Sequence, residues 1–319
     1  MKVLYFIQTH TNPEQIHRLV NTIKKTSSDS YILISHDSTF CSLDNTPLAS
    51  MPEVEIIQLK KENGVVRGSF AENQAYLDAI KWVFDQNIYC DWFVNLSGQD
   101  YPTQSLFLFE NFLATTNFDG FLEHRDILSK DSYYGKYGRD HYLYQYWHSG
   151  LQLARWQRGL LKPFRIAINN TQPLVRVESS YQFSVGLRSF SGVFNSSFKC
   201  YGGSYFKILS KKCVEYLYET SKERENLIAY YKKTVLSAES FVQTILANSG
   251  LFNLCDNNNF YIDWTGTKHG RPNILTVADY SKIVGIKDVY FARKFDIKKD
   301  SKILDLLDER IYANKKVNL

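Results

Sequence analysis

Four short apolar runs, each closing on polar residues and separated by helical or loop segments, narrow the fold of the first hundred residues more than any other feature. KVLYFIQ at Lys2–Gln8 ends in THTNP, and YILIS at Tyr31–Ser35 ends at His36-Asp37. VEIIQL at Val54–Leu59 is the third run, and DWFVNL at Asp91–Leu96 ends at Ser97-Gly98-Gln99-Asp100. Pro13 opens a helical stretch with Ile16, Leu19, Val20 and Ile23 on one face, and Ser69–Gln86 gives a second with Ala75, Ala79, Ile80 and Val83. Strands alternating with helices predict a mostly parallel α/β sheet covered on both faces. Such sheets bind ligands beyond the carboxyl ends of their strands, where these polar clusters fall.

Beyond residue 120 the pattern changes. Asp126–Trp147 is dense in Tyr, Gly and charge and reads as a long functional loop, with a second aromatic stretch at Tyr181–Tyr205. Helices are expected around Lys211–Thr220, Glu239–Asn248 and Leu304–Ala313. Without repeats or a linker, the simplest division is one catalytic domain over 1–319, with residues 1–120 as nucleotide-binding half and 121–319 as acceptor and catalytic half.

Charge and cysteine usage exclude some classes. A net charge of +5 suits anionic ligands but falls short of the basic stripe of a nucleic-acid binder. Five scattered cysteines without a CxxC pair argue against a disulfide framework or zinc site and fit a reducing cytosol. Met1-Lys2 leads straight into VLYFIQ, which reads as lacking a signal peptide, and no apolar run approaches membrane-spanning length. GxGxxG, GxxxxGK[ST], HExxH and GxSxG are all absent. No Asp has another Asp two positions away, so a diphosphate would be neutralised by side-chain cations instead of a DxD-bound metal.

Several segments, in order, resemble the core-2/I-branching β-1,6-N-acetylglucosaminyltransferase family, which includes the peptide O-xylosyltransferases. They are YFIQTHTNPEQIHRLVNTI from Tyr5, ILISHDS from Ile32, WFVNLSGQDYPTQS from Trp92, GGSYFKILSKKCVEYL from Gly202, SAESFVQTIL from Ser237, FYIDWTGTKHGRPNILTVADY from Phe260 and FARKFD from Phe291. The resemblance implies a GT-A fold and an inverting, metal-independent transfer from a nucleotide sugar. It puts the catalytic base on Glu239 and the diphosphate-binding cations on Arg271 and Lys294. It assigns Asp37 to the nucleoside and Gln8–His10 to the loop below the base. By residue type alone, Glu239 reads first as a helix-opening carboxylate facing the dipole, and the surrounding motif reverses that order.

Other candidates remain double-sided. Asp100 either contacts the donor sugar or bonds loop amides. Trp264 either stacks on a sugar or packs in the core. Ser204, Tyr205 and Glu123, with Arg125 nearby, are candidates for the donor or acceptor sugar. Arg67 stands where the family has a Trp-Gly-Gly-like turn and is a further phosphate or ribose candidate. Arg293, beside Lys294, is expected to point away into a surface ion pair. Ser237-Ala238 replaces the family's frequent Pro-Asp.

These readings imply a uridine diphosphate sugar as donor, N-acetylglucosamine or xylose favoured, a glycan hydroxyl as acceptor, and no cofactor or metal. A cytosolic bacterial role in surface polysaccharide synthesis is expected, with a lipid-linked acceptor at the inner face of the membrane left open. The alternative is a carbohydrate-binding protein on the same fold without catalysis. The tail from Lys298 suits either an anionic leaflet or, given Asp305, Asp308 and Glu309, packing against the domain.

Overall fold

The computed structural model describes residues 1–59, 66–129, 132, 135–151, 153–267 and 271–316. Its centre is a seven-stranded sheet in the order Leu254–Cys255, Gly120–Phe121, Ile208–Ser210, Trp92–Ser97, Val3–Thr9, Tyr31–Asp37, Val54–Leu59. The last four run parallel, and Ile208–Ser210 is antiparallel to both its neighbours. Strands from both sides of residue 120 therefore share one sheet.

The continuous apolar run of the first strand follows from its central position, buried on both faces. Val3, Tyr5 and Ile7 face a core with Ile16, Leu19, Val20 and Ile23 of the Pro13–Thr26 helix, and with Leu304, Leu307 and Ile311. Leu4 and Phe6 face the opposite core, with Tyr76, Ile80 and Val83 of the Ala71–Asp85 helix and Phe241 and Leu246. Burying each such side chain contributes about 1.5–3 kcal/mol, so the two-faced strand anchors both layers.

The C-terminal helix Lys302–Lys316 belongs to the first layer. Ile303, Leu304, Leu307 and Ile311 are fully buried, and Arg18 clasps Asp305 and Asp308, each at 2.7 Å. Of the two readings of the tail, packing against the domain is the one observed. Among the described residues no helix is long and apolar enough to cross a membrane.

Three small sheets flank the large one. Phe291–Arg293 pairs with Phe260–Ile262 and, antiparallel, with Asp100–Pro102, which sets Arg293 opposite Asp100. Arg125–Asp126 pairs with Tyr201–Gly202. Tyr144–His148, Ser184–Arg188 and Val175–Glu178 form an antiparallel sheet beside the Arg155–Thr171 helix. The expected loop over Asp126–Trp147 is thus corrected: it holds the Gly135–Tyr142 helix and a strand whose Tyr144 and Tyr146 are buried. Glu239 also lies just before its helix, on a tight turn Ser237–Glu239, and the helix proper is Phe241–Ser249.

Candidate active site

The Glu239 turn is held from three sides. Its own N–H donates to Leu236 O at 3.0 Å, and its carbonyl accepts from Gly203 N–H at 2.9 Å. Leu236 N–H donates to Gly68 O at 2.8 Å, and Asn73 Nδ2 donates to Ser237 Oγ at 3.1 Å. Gly68 has φ +81°, and a Cβ there would come within 2.8 Å of the Tyr181 ring. Only glycine meets both demands, the left-handed backbone and the close ring.

Burial pushes the Glu239 carboxyl up to about 7. The neighbouring Glu72 adds to the rise, Arg67 opposes it, and Glu123 adds again. A carboxyl in this range can accept a proton near neutral pH and still be largely ionised slightly above it. Glu72 is itself raised by burial, although it accepts the Gly68 N–H at 3.3 Å and faces Arg67, Lys207 and Arg293. Glu123 is raised by burial, with Arg125 pulling it down.

Arg271 and Lys294 are brought together. The Lys294 ammonium is half-buried and depressed by desolvation, then by repulsion from Arg271, Arg293 and Arg67, with Asp296 opposing. Lys294 thus sits among three arginines, and a positive field of that kind favours anions.

One expectation is corrected here, and one two-sided reading narrows. Arg293 is not in a surface ion pair: its side chain is largely buried, with Nε 3.5 Å from Asp100 Oδ1 and the guanidinium 4.0 Å from the Phe206 ring centroid. Asp100 is fully buried, and its carboxylate accepts the Ser97 N–H at 2.7 Å and the Ser97 hydroxyl at 2.9 Å. Of its two readings, these are the bonds of the loop one.

The nucleotide-side candidates lie at adjoining strand ends. Asp37 is buried at the end of its strand and accepts the Thr39 N–H at 2.9 Å. His10 is close enough to feel Asp37, its ring edge-on to Phe40 at 5.6 Å. Gln8 Oε1 accepts the Tyr205 hydroxyl, which ties the first strand to the Gly202–Phe206 segment. Arg67 sits over the Tyr181 ring at 5.5 Å. Ser204 presents its carbonyl to Gln243 Nε2 at 2.7 Å, and its hydroxyl oxygen accepts the Phe206 N–H at 3.3 Å. Trp264 is 51% exposed, which removes the core reading and leaves its indole face open.

Sequence reasoning passed over Glu72 and Lys207. Lys207 is fully buried, donates to Tyr205 O at 2.6 Å and lies 4.6 Å and 4.5 Å from the ring centroids of Tyr76 and Tyr205. Burial pulls its ammonium down to about 7, with Glu72 opposing. Its signal was a lone cation inside the strand-like run YFKIL. Glu72 carried only the common signature of a first-turn acid.

A mostly parallel α/β sheet with helices packed on both faces is the arrangement of the GT-A fold. The chain belongs to the Core-2/I-Branching enzyme family, whose sequence profile matches residues 3–284. Xylosyltransferase 2 of Mus musculus is 26% identical over 246 residues, 70% of this chain and 24% of that protein. Xylosyltransferase 2 of Canis lupus familiaris is 22% identical across 98% of this chain and 34% of its own length. Beta-glucuronosyltransferase GlcAT14A of Arabidopsis thaliana is 29% identical over 119 residues, 36% of this chain and 26% of that protein. The chain thus spans only 24–34% of the length of these relatives. A crystal structure of the galactosyltransferase LgtC with donor and acceptor sugar analogues aligns over 92% of this chain and 87% of its own at 11% identity, TM-score 0.41.

Proposed function

We propose that the protein transfers a sugar from a uridine diphosphate sugar to a glycan hydroxyl with inversion, using Glu239 as base and no metal. The observation that carries this is Glu239 itself, a half-buried carboxyl raised to about 7 with Arg67, Glu72 and Glu123 near enough to act on it. In the proposed step Glu239 takes the acceptor proton as the hydroxyl oxygen bonds to the anomeric carbon. The bond from that carbon to the diphosphate oxygen breaks, and the electron pair leaves on the phosphate. Arg271 and Lys294, aided by Arg67, stabilise that charge; one such group is worth about 3 kcal/mol.

The relatives named xylosyltransferases support xylose as donor sugar, with N-acetylglucosamine as the other candidate. A cytosolic role in building a surface polysaccharide fits the reduced cysteines.

The test is transfer by Glu239→Gln across a panel of donors that includes uridine diphosphate glucuronic acid. Loss of at least a thousandfold in kcat with donor binding intact is expected. Activity within tenfold of wild type removes Glu239 as base. The anomeric coupling constant of the product reports inversion.

A further inference from the structure

Asn12 and Gln15 open the Pro13–Thr26 helix with the residues of a capping box, an N-cap amide and a glutamine three positions on. Both side chains are turned to other segments. Asn12 makes no side-chain bond to its own helix, and its Nδ2 donates to Asp296 Oδ1 at 3.3 Å. Gln15 is fully buried. Its Nε2 donates to Gly98 O at 2.8 Å and to Phe295 O at 3.2 Å, and its Oε1 accepts the Ile297 N–H at 2.8 Å. A helix that forgoes its cap for such ties breaks a local rule, and breaks of that kind gather at functional sites.

The segments so joined surround Lys294. Gly98 follows the Trp92–Ser97 strand, and its N–H donates to Gln8 O at 3.0 Å. A Cβ on Gly98 would come within 3.1 Å of Thr9 Cγ2 and 3.2 Å of Ile16 Cγ1, so its backbone is pressed between the first strand and the helix after it. Phe295 N–H donates to Gln99 O at 2.9 Å, and Lys294 is the residue before Phe295. On the other flank, Lys294 O accepts the Leu275 N–H at 2.9 Å, which attaches the chain leading from Arg271. Gly98, Phe295 and Ile297 lie outside the regular strands and helices, so these backbone groups take a side chain as partner.

We infer that Gln15, with Asn12 beside it, is a positioning residue that locks the Gly98–Gln99 turn to the Phe295–Ile297 segment and so holds Lys294 at a fixed distance from the Gln8–His10 loop. That distance is the one between the nucleoside and the diphosphate of a single ligand. This role rests on the proposed binding of the diphosphate by Lys294. It adds a reason why that ammonium keeps its place although it sits on an irregular segment.

The experiment is calorimetric binding of uridine diphosphate to the whole protein in a double-mutant cycle. Gln15→Met keeps the length of the side chain and deletes all three bonds. It should weaken uridine diphosphate at least about tenfold alone and less than about twofold in Lys294→Ala, where the displaced ammonium is already gone. Asn12→Gly deletes the tie to Asp296 from a partly exposed site and accommodates the left-handed backbone there, φ 54°. It should show the same dependence on Lys294 with a loss of about threefold. A merely structural lesion would weaken binding equally in both backgrounds. Equal losses, or no loss with Gln15→Met, would overturn the inference. Lys294→Ala binding as tightly as wild type would instead refute Lys294 as a diphosphate cation, and this role with it. Should Gln15→Met fail to fold, the Asn12→Gly cycle decides by the same criteria.

Discussion

Arg293 Nε stands 3.5 Å from Asp100 Oδ1, the two held opposite each other by a pair of antiparallel strands. Burial raises the Asp100 carboxyl and lowers the Arg293 guanidinium, and each opposes the shift of the other. Removing one partner leaves a buried charge uncompensated, which costs about 3–5 kcal/mol. Arg293→Ala should therefore lose at least about 3 kcal/mol in urea unfolding. Arg293→Lys should recover only part, because a compact ammonium cannot reproduce the planar stack on Phe206. A loss under 1 kcal/mol for the alanine variant would show that the pair does not hold the site.

The charges around Glu239 predict opposite shifts in the pH profile. Glu72 raises its pKa and Arg67 lowers it. In the wild type the acid limb of kcat/KM should have its midpoint near pH 7, with activity lost below it as Glu239 takes up a proton. Glu72→Gln should move that limb to lower pH and Arg67→Gln to higher pH, each by about half a unit or more. Shifts in the same direction would show that the limb reports another group.

Stability has its own sign. The folded Glu239 pKa of about 7 lies above the ordinary carboxylate value of 4.5, so the folded state holds more protons between those limits. This residue's contribution to stability is therefore lost as pH rises from 4.5 to 7. At pH 8 Glu239→Gln should be more stable than wild type, by on the order of 2 kcal/mol, while inactive. Thermal melts at pH 5 and pH 8 check this, since the gain should shrink or vanish at the lower pH.

How much was legible depended on whether the cause was local. The first, second and fourth strands could be read because burial on both faces makes each run mostly apolar, as in VLYFI. The edge strand VEIIQL was legible from its short β-branched run despite exposed Glu55 and Gln58. Tyr144 and Tyr146 obey a strand's period of two within YLYQYWH, but aromatic density hid the alternation. The Arg155–Thr171 helix went unread because Gly159 and Pro163 interrupt it and its apolar stripe faces no core. Arg293 was sent to the surface by strand alternation, because its partner Asp100 lies far away in sequence. Glu239, Arg271 and Lys294 were found through the family resemblance, since no spacing rule joins such distant residues.

Gly203 tests how tightly the base is positioned. Its N–H holds the Glu239 carbonyl at 2.9 Å, and a Cβ would collide with the Glu123 carbonyl oxygen and Cβ. Gly203→Ala must push the backbone aside, displacing Glu239 from one side and Glu123 from the other. Shifts near 1 Å at a catalytic group cost about 100-fold. A fall of that order in kcat with nearly unchanged donor affinity is expected, and wild-type kcat would mean that the turn has slack.

The cations make a separate demand on the donor. Burial and then the neighbouring Arg271, Arg293 and Arg67 hold the Lys294 ammonium down, and a bound diphosphate would offset that repulsion. Uridine diphosphate should then raise the melting temperature, because a ligand at about 100 times its Kd adds about 2.7 kcal/mol to stability. Lys294→Ala removes both the repulsion and one binding partner, so the unliganded protein should melt no lower than wild type. The same variant should lose most of the shift with uridine diphosphate and about 100-fold in kcat. Lys294→Arg, which keeps the charge, should retain part of both. If side-chain cations suffice for the leaving group, EDTA should leave transfer intact. Activity abolished by EDTA and restored by a divalent ion would assign that role to a metal.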